Sequence, residues 1–154
     1  MIDVIDLKKT FGDLEVLKGI NVTINKGDIV VVIGPSGSGK STFLRCLNCM
    51  EDPTSGSIIF NGVDIADMRV DINIHRRHMG MVFQHFNLFN NMTVIENIMM
   101  APVYVRCKEL KKAKRKGTLA PDAPKTKAEI KAQARAEALE LLRRIGLEDK
   151  ADVY

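Results

Sequence analysis

The chain has 154 residues, of which 45% are hydrophobic and 27% are charged, and its formal net charge is +4. This composition supplies enough apolar material for the core of one domain. The N-terminus lacks the basic and apolar regions of a signal peptide, and no apolar run approaches the roughly 18 residues that a membrane helix requires. We therefore expect a cytoplasmic protein that reaches a membrane only through a partner or through surface charge.

The first third of the chain predicts strands. Residues 2–7 and roughly 15–24 alternate in hydrophobicity, and Gly12 and Asp13 form the turn between them. Residues 28–33, DIVVVI, form a β-branched run that is typical of a buried parallel strand. A phosphate-binding loop follows this third strand directly.

The loop fits the pattern G-x-x-x-x-G-K-[ST] at every fixed position. Its glycines let backbone N–H groups close on phosphates, Lys40 reaches the β- and γ-phosphates, and Ser41 is placed to ligate Mg²⁺. Residues 40–50 carry apolar side chains at helical spacing, which points the positive end of a helix at the phosphates. Thr42 either contacts the α-phosphate or is an ordinary first-turn residue. The candidate nucleotide-binding residues here are Gly34, Pro35, Ser36, Gly37, Ser38, Gly39, Lys40, Ser41 and Thr42.

Cysteine and histidine pairs after the loop are candidates for redox or metal chemistry. Cys46 and Cys49 form a C-x-x-C pair, but they lie inside the predicted helix rather than at its electropositive start, which favours packing thiols. His75 and His78 have no second ligand pair nearby, which favours a solvated basic turn over a metal site.

A second hairpin and a further strand are predicted next. Residues 57–60 and 63–65 flank an Asn61-Gly62 turn. Residues 79–83, MGMVF, form a short apolar strand that ends at Gln84.

The last third of the chain predicts helices around a basic run. A capping box, with Thr93 three residues before Glu96, opens a helix over 93–100. Within residues 106–116, seven positions are Lys or Arg against one Glu. This run either touches anionic lipid or RNA or, as we favour, is a solvated insertion between helices. An amphipathic helix begins near Thr126, with one face formed by Leu139, Leu142 and Ile145 and its end at Gly146.

The chain resembles the ATP-binding subunit of an ABC transporter, most closely the subunits that serve importers of polar amino acids. The resemblance lies in GPSGSGKSTFLRCLN, EDPTSGSIIFNG and residues 79–102. It covers most of residues 1–104 and resumes at roughly 128–154. The strand that ends in Gln84, with HFNLF after it, distinguishes an ABC protein from other P-loop NTPases.

The resemblance implies an α/β fold of the ABC ATPase type. It consists of a P-loop NTPase core sheet with an N-terminal antiparallel β part and a partial helical subdomain. The nucleotide-binding domain would span 1–154, with the β part and core in 1–84 and the start of the helical subdomain in 85–154. The basic insertion would occupy about 105–127.

The same resemblance implies roles for three further residues and two ligands, ATP and Mg²⁺. Phe11 lies where the family places an aromatic ring against adenine; the alternative is a core residue at a strand end. Val16 would pad the same base edge. Gln84 would approach Mg²⁺ and the attacking water; the alternative is a polar loop residue. The region beyond that loop receives the permease in this family.

Several elements of the family pattern are absent from the sequence. We find no apolar strand ending in Asp-Glu to hold Mg²⁺ and activate water, no LSGGQ signature and no later histidine. We therefore expect a C-terminally truncated chain that is catalytically inactive alone. In this family, two further strands, which are missing here, lie in the sheet between the strands at 29–33 and 79–83. These two strands should therefore keep exposed edges, which would make the chain unstable or prone to aggregate.

The function implied is that of an ABC-type ATPase subunit for import of polar amino acids. In the complete protein, two copies would clamp two ATP molecules and drive a transmembrane permease fed by a solute-binding protein, at the inner face of the cell membrane. One alternative is another P-loop enzyme such as a small-molecule kinase. A second is a non-catalytic interaction protein that uses its basic run on nucleic acid or lipid; nucleic acid is the less favoured partner. The transported amino acid is set by other subunits in this family.

Overall fold

A computed structural model describes residues 1–85 and 87–154, so Phe86, part of the segment that carries the family resemblance, lies outside the described residues. The chain divides into two compact units, Met1–Val82 and Phe83–Tyr154. The first contains β1 (Ile2–Phe11), β2 (Leu14–Ile24), α1 (Lys40–Leu47), β3 (Ser55–Phe60), β4 (Val63–Asp64) and α2 (Ile72–Arg76). The second contains α3 (Val94–Lys116), α4 (Lys127–Arg144) and a 3₁₀ turn, Glu148–Lys150.

The first unit is built on an antiparallel sheet with strand order β2-β1-β3-β4. The two predicted hairpins are present, and β1 is longer than predicted. Asn61 and Gly62, which join β3 to β4, have φ angles of 49° and 83°. A two-residue hairpin turn with both central residues in the left-handed region matches the twist of the strands it connects, and Asn-Gly is the pair that adopts it most readily.

The core of this unit lies between the sheet and α1. Its buried residues are Val4, Leu7, Leu17, Phe43, Cys46, Cys49, Ile58, Phe60 and Ile65. The C-terminal end of α1 is held by Arg76, whose guanidinium donates to the carbonyl oxygens of Asn48 and Cys49 at 3.0 and 2.5 Å. A cation there satisfies carbonyl groups that lack helical partners and favours the negative end of the helix dipole.

The strands predicted at 28–33 and 79–83 are not formed. Ile29 is 94% exposed and Val82 is 98% exposed. Among the described residues, no backbone hydrogen bond is found for 29–33, and no strand lies beside either segment. An extended run becomes a strand only when a neighbour accepts and donates its backbone hydrogen bonds, and the part of the chain described here supplies none.

The second unit is a pair of helices. The capping box predicted at Thr93 and Glu96 is present at the start of α3. The basic run, which we expected between helices, instead forms the C-terminal half of α3, and that helix ends at Gly117 in the left-handed conformation.

The predicted buried face of α4 is partly wrong. Ile145 is 67% exposed, because α4 ends before it and its backbone has left the helical conformation. The buried row is instead Ile130, Ala134, Ala138 and Leu142. These residues follow an i, i+4 spacing, and because two of them are alanines the row was not evident from the large hydrophobic residues alone.

A matched pair of glycine substitutions tests the sheet. An added Cβ at Gly56 (φ 94°) would lie 2.7 Å from the Ile5 carbonyl oxygen, whereas one at Gly62 meets nothing within 4 Å. Gly56→Ala is expected to lower the free energy of unfolding by roughly 3 kcal/mol or more, because backbone atoms must shift, and Gly62→Ala by only about 1 kcal/mol from the left-handed conformation. Urea unfolding followed by circular dichroism measures both. Equal losses would contradict the close approach of β3 to β1.

The exposed run at 29–33 predicts self-association. It combines high β propensity with no charge, which is the composition of an aggregating segment. Sedimentation velocity should show concentration-dependent association that Val31→Lys reduces. Met68→Lys serves as the control, because Met68 is 96% exposed outside this run. A chain that sediments as a monomer at all concentrations, or an equal effect of both variants, would contradict this prediction.

Candidate functional site

The candidate site is the phosphate loop and the start of α1. Within the loop the Ser38 N–H donates to the Pro35 carbonyl oxygen at 3.3 Å, and Gly37 and Gly39 have φ angles of 78° and 87°. Helix α1 begins immediately afterwards, at Lys40, and no side chain caps its N-terminus. Within the described part of the chain, its first-turn N–H groups therefore have no helical or side-chain acceptor, which is the arrangement that binds anions at helix N-termini.

Gly39 fixes the loop against strand β2. A Cβ at this position would lie 3.0 Å from Val16 Cγ1, 3.2 Å from the Val16 carbonyl oxygen and 3.2 Å from Leu17 Cδ2. Only glycine both adopts this left-handed conformation without strain and lets α1 start so near the strand. The structure thereby brings Val16, a candidate from the family resemblance, beside the end of the loop.

The Lys40 ammonium group is folded onto its own loop. It donates to the carbonyl oxygens of Gly34 and Pro35 at 2.8 and 2.7 Å, and it lies 3.4 Å from Ser38 Oγ. The side chain therefore folds back along the loop that the sequence assigns to phosphates. All of these acceptors are neutral. A charged phosphate oxygen is a stronger acceptor and would replace them.

Phe11 is a surface residue rather than a core residue. It ends β1, its side chain is 45% exposed, and the Lys9 ammonium lies 4.8 Å above the ring centroid. Lys9 also pairs with Glu51 at 2.7 Å and donates to the Asp52 carbonyl oxygen at 2.7 Å. No sequence pattern indicates the pairing of Lys9 with Glu51, because they are 42 positions apart in the numbering and meet only in the folded unit.

The remaining predicted residues are exposed or half-buried. Ser41 is exposed in the first turn of α1, and Thr42 beside it is half-buried. Gln84 is exposed and belongs to the second unit, whereas Ser41 belongs to the first. The role of both side chains at one Mg²⁺ ion stays a prediction.

The C-x-x-C pair lies in the core. Burial raises the pKa of the Cys46 thiol to about 11 and also raises the pKa of Cys49. Cys49 Sγ donates to the Ile65 carbonyl oxygen at 3.2 Å. These thiols are packing groups, since redox and metal chemistry both require the thiolate that burial disfavours.

His75 packs edge-on against Phe60, with ring centroids 6.2 Å apart. Within residues 1–85 and 87–154 no group of three or more His, Cys, Asp or Glu side chains is arranged to hold a metal ion. In the same part of the chain, no helix has the length and apolar character needed to cross a membrane.

Comparison with known families decides the class of this site. The family model described as ABC transporter matches residues 17–154. The chain belongs to the ABC transporter family. This confirms the family predicted from the loop, the EDPTSGSIIFNG segment and residues 79–102.

Curated relatives carry amino acid transport names. The chain is 43% identical over 148 residues to the glutamine transport ATP-binding protein GlnQ of Geobacillus stearothermophilus, an alignment that covers 96% of this chain and 52% of GlnQ. It is 47% identical over 154 residues to the arginine transport ATP-binding protein ArtM of Bacillus subtilis, covering 100% of this chain and 55% of ArtM. The chain therefore spans about half the length of the curated relatives it matches.

A solved structure shows the same fold. The chain aligns with the dimeric structure of a post-hydrolysis state of the ATP-binding cassette MJ0796 bound to ADP and Pi, with a TM-score of 0.60 and 24% identity. The alignment covers 98% of this chain and 85% of that chain. The predicted α/β fold of the ABC ATPase type is confirmed, although two of its predicted strands are not formed here.

Alkylation tests the burial of the thiols. At pH 8, iodoacetamide should modify Cys107, which is half-buried, at least tenfold faster than Cys46 or Cys49, since a thiol with a pKa near 11 is about 0.1% ionised at that pH. Mass spectrometry of timed samples gives the three rates. Urea should equalise them, and rapid modification of Cys46 in the folded chain would contradict the packing described.

Proposed function

We propose that this chain is the ATP-binding part of an ABC importer for polar amino acids, in which ATP binding and hydrolysis energise transport. The observation that carries the proposal is the phosphate loop, followed by a helix whose N-terminus no side chain caps. The family match and the amino acid transport names of the relatives support the coupling to import.

In this proposal the loop binds the triphosphate with backbone N–H groups and with Lys40. The ammonium exchanges the carbonyl oxygens of Gly34 and Pro35 for oxygens of the β- and γ-phosphates. The exchange is favourable because the acceptor becomes charged while the number of donors stays the same. Thr42 supplies a further hydroxyl on the α-phosphate side.

Mg²⁺ would be held by the Ser41 hydroxyl and the Gln84 amide oxygen. Both residues are exposed, and hydroxyl and amide oxygens are hard ligands that suit this ion. When bound, the ion neutralises charge on the β- and γ-phosphates. The chain's own residues hold the nucleotide in place at the start of α1.

Phe11 and Val16 would contact the adenine. The exposed Phe11 ring offers one face to a flat base, and Val16 lies beside the loop at Gly39. Lys9, held over the ring and paired with Glu51, limits the orientations that the ring can adopt.

The partners proposed are a second ATP-binding subunit, a transmembrane permease and, through the permease, a solute-binding protein. The dimeric state of the MJ0796 cassette supports the first, and the transport names of the relatives support the others. The chain would then lie on the cytoplasmic face of the membrane, where ATP is available, and attach through the permease.

A small-molecule kinase is disfavoured because the family match extends to residue 154, far beyond the loop.

Binding of a fluorescent ATP analogue with Mg²⁺ tests the proposal. Lys40→Ala is expected to weaken binding at least about tenfold, because a charge-assisted contact to phosphate is lost. Lys26→Ala is the matched control, since Lys26 is exposed in the turn before the loop and should change binding less than about twofold. Circular dichroism should show that both variants keep the fold.

Three results of this experiment would be informative. Equal binding by the parent chain and Lys40→Ala would contradict the assignment of the loop, and no binding by any form would contradict the proposal for residues 1–154 as they stand. Phosphate release is followed in the same samples, and we expect none. Release that requires Lys40 would show that these residues contain a water-activating carboxylate that the sequence pattern does not reveal.

A further inference from the structure

A cavity of about 740 Å³ lies between α3 and α4, entirely within the second unit. Its floor comes from α3 and is formed by Met99, Met100, Val103, Tyr104 and Cys107. These residues recur every three or four positions, so they form one stripe along the helix. Methionine side chains adapt to ligands of irregular shape, and the floor as a whole is apolar.

The rim of the cavity is cationic. It is formed by Lys108, Lys111, Lys127, Lys131 and Arg135. The last three lie on α4 at successive i, i+4 positions and therefore line one wall. Among the residues that the structure describes, none of the four lysines has an ion-pair partner, and only Arg135 has one, Asp152 at 3.3 Å.

Of the described residues that line the cavity, Glu96 is the one with an acidic side chain, and its carboxylate is already hydrogen-bonded. Its carboxylate accepts from the Thr93 N–H at 2.9 Å in the capping box of α3. It therefore belongs to the helix start and does not neutralise the lysines at the opposite end of the stripe. The cavity combines an apolar floor with an excess of positive charge.

We propose that this cavity binds an anionic amphiphile, a molecule with an acyl chain and a phosphate or carboxylate head. The chain lies along the stripe of α3, and the head lies among the lysines of the two helices. A cavity of 740 Å³ falls within the range of sites for single small ligands. This site is separate in the chain from the phosphate loop and adds a second ligand to the proposed function.

Two macromolecular occupants fit the cavity less well. A stable protein partner needs a patch of about 800 Å² on each side, much more than a cavity that one small molecule fills. Single-stranded nucleic acid needs aromatic platforms for its bases, and among the described residues that line this cavity only Tyr104 is aromatic. Charge alone would suit either occupant, but the apolar floor suits an acyl chain.

Cys107 provides a reporter inside the proposed site. It lines the cavity and is half-buried, whereas Cys46 and Cys49 are buried in the first unit. The probe is decyl phosphate, kept below its critical micelle concentration, and the reagent is uncharged iodoacetamide. Occupancy should slow alkylation of Cys107 at least fivefold, with half-protection at about 0.1 mM. The slow rates of Cys46 and Cys49 should stay unchanged and exclude unfolding by the probe.

Two double variants test the role of the rim. Lys108→Gln with Lys131→Gln removes one charge from each wall and should weaken protection roughly tenfold. The matched control is Lys112→Gln with Lys114→Gln, which removes two charges from the same basic run outside the cavity. Glutamine keeps the helix propensity of lysine, so both variants should fold. Protection in the parent chain should also weaken as salt is raised.

Each further result decides for or against the site. Equal weakening by the two double variants would overturn the proposal, because attraction would then be nonspecific. Equal protection by inorganic phosphate or by uncharged decyl maltoside would also overturn it, because one half of the ligand would then be unnecessary. Protection by vesicles of phosphatidylglycerol without protection by monomeric decyl phosphate would overturn it in favour of surface adsorption. Protection by both would support the site and identify membrane lipid as a source of the ligand, and protection by the monomer alone would identify a free acyl anion.

Discussion

The contact between the start of α1 and strand β2 is the constraint on which the candidate phosphate site depends. Gly39 approaches β2 so closely that an added Cβ would lie 3.0 Å from Val16 Cγ1, and atoms of Val16 and Leu17 would have to shift by a few tenths of an ångström. One turn further along, Phe43 and Cys46 are buried against the sheet. A hydrophobic core therefore positions a loop whose own ligand groups remain at the surface. Groups that bind a ligand must remain accessible to solvent. Their position is therefore set by neighbouring residues that are buried.

The two ends of α1 differ in their capping, and only the positive end of its dipole is left open. At the N-terminus no side chain caps the helix, and at the C-terminus Arg76 donates to two carbonyl oxygens. The positive end is left for an anion while the negative end is already satisfied. The Lys40 ammonium adds a full charge at the positive end and is retained there by carbonyl oxygens of the loop. The site is thus prepared for negative charge before any ligand arrives.

The second unit arranges positive charge in another way. Its lysines are spread along two helices above an apolar stripe, instead of being concentrated with backbone N–H groups at one helix end. A compact site of the first kind favours a polyphosphate, whose charge is dense and whose oxygens each accept hydrogen bonds. A spread site of the second kind favours a ligand whose apolar part contributes most of the contact area. Local charge density therefore separates the two sites more clearly than net charge does.

Local chemistry let the sequence alone determine the phosphate loop, the Asn61-Gly62 turn and the Thr93–Glu96 capping box. Each depends on φ preferences or hydrogen bonds that act within a few residues, so the pattern is readable without the fold. Three features were decided only by the tertiary structure. Residues 28–33 do not pair with another strand in the described part of the chain, the buried face of α4 is the row from Ile130 to Leu142, and the end of the phosphate loop packs against β2. These outcomes depend on partners supplied by distant parts of the chain. Strand pairing and burial each require two surfaces in contact, and the sequence of a single segment specifies only one of those surfaces.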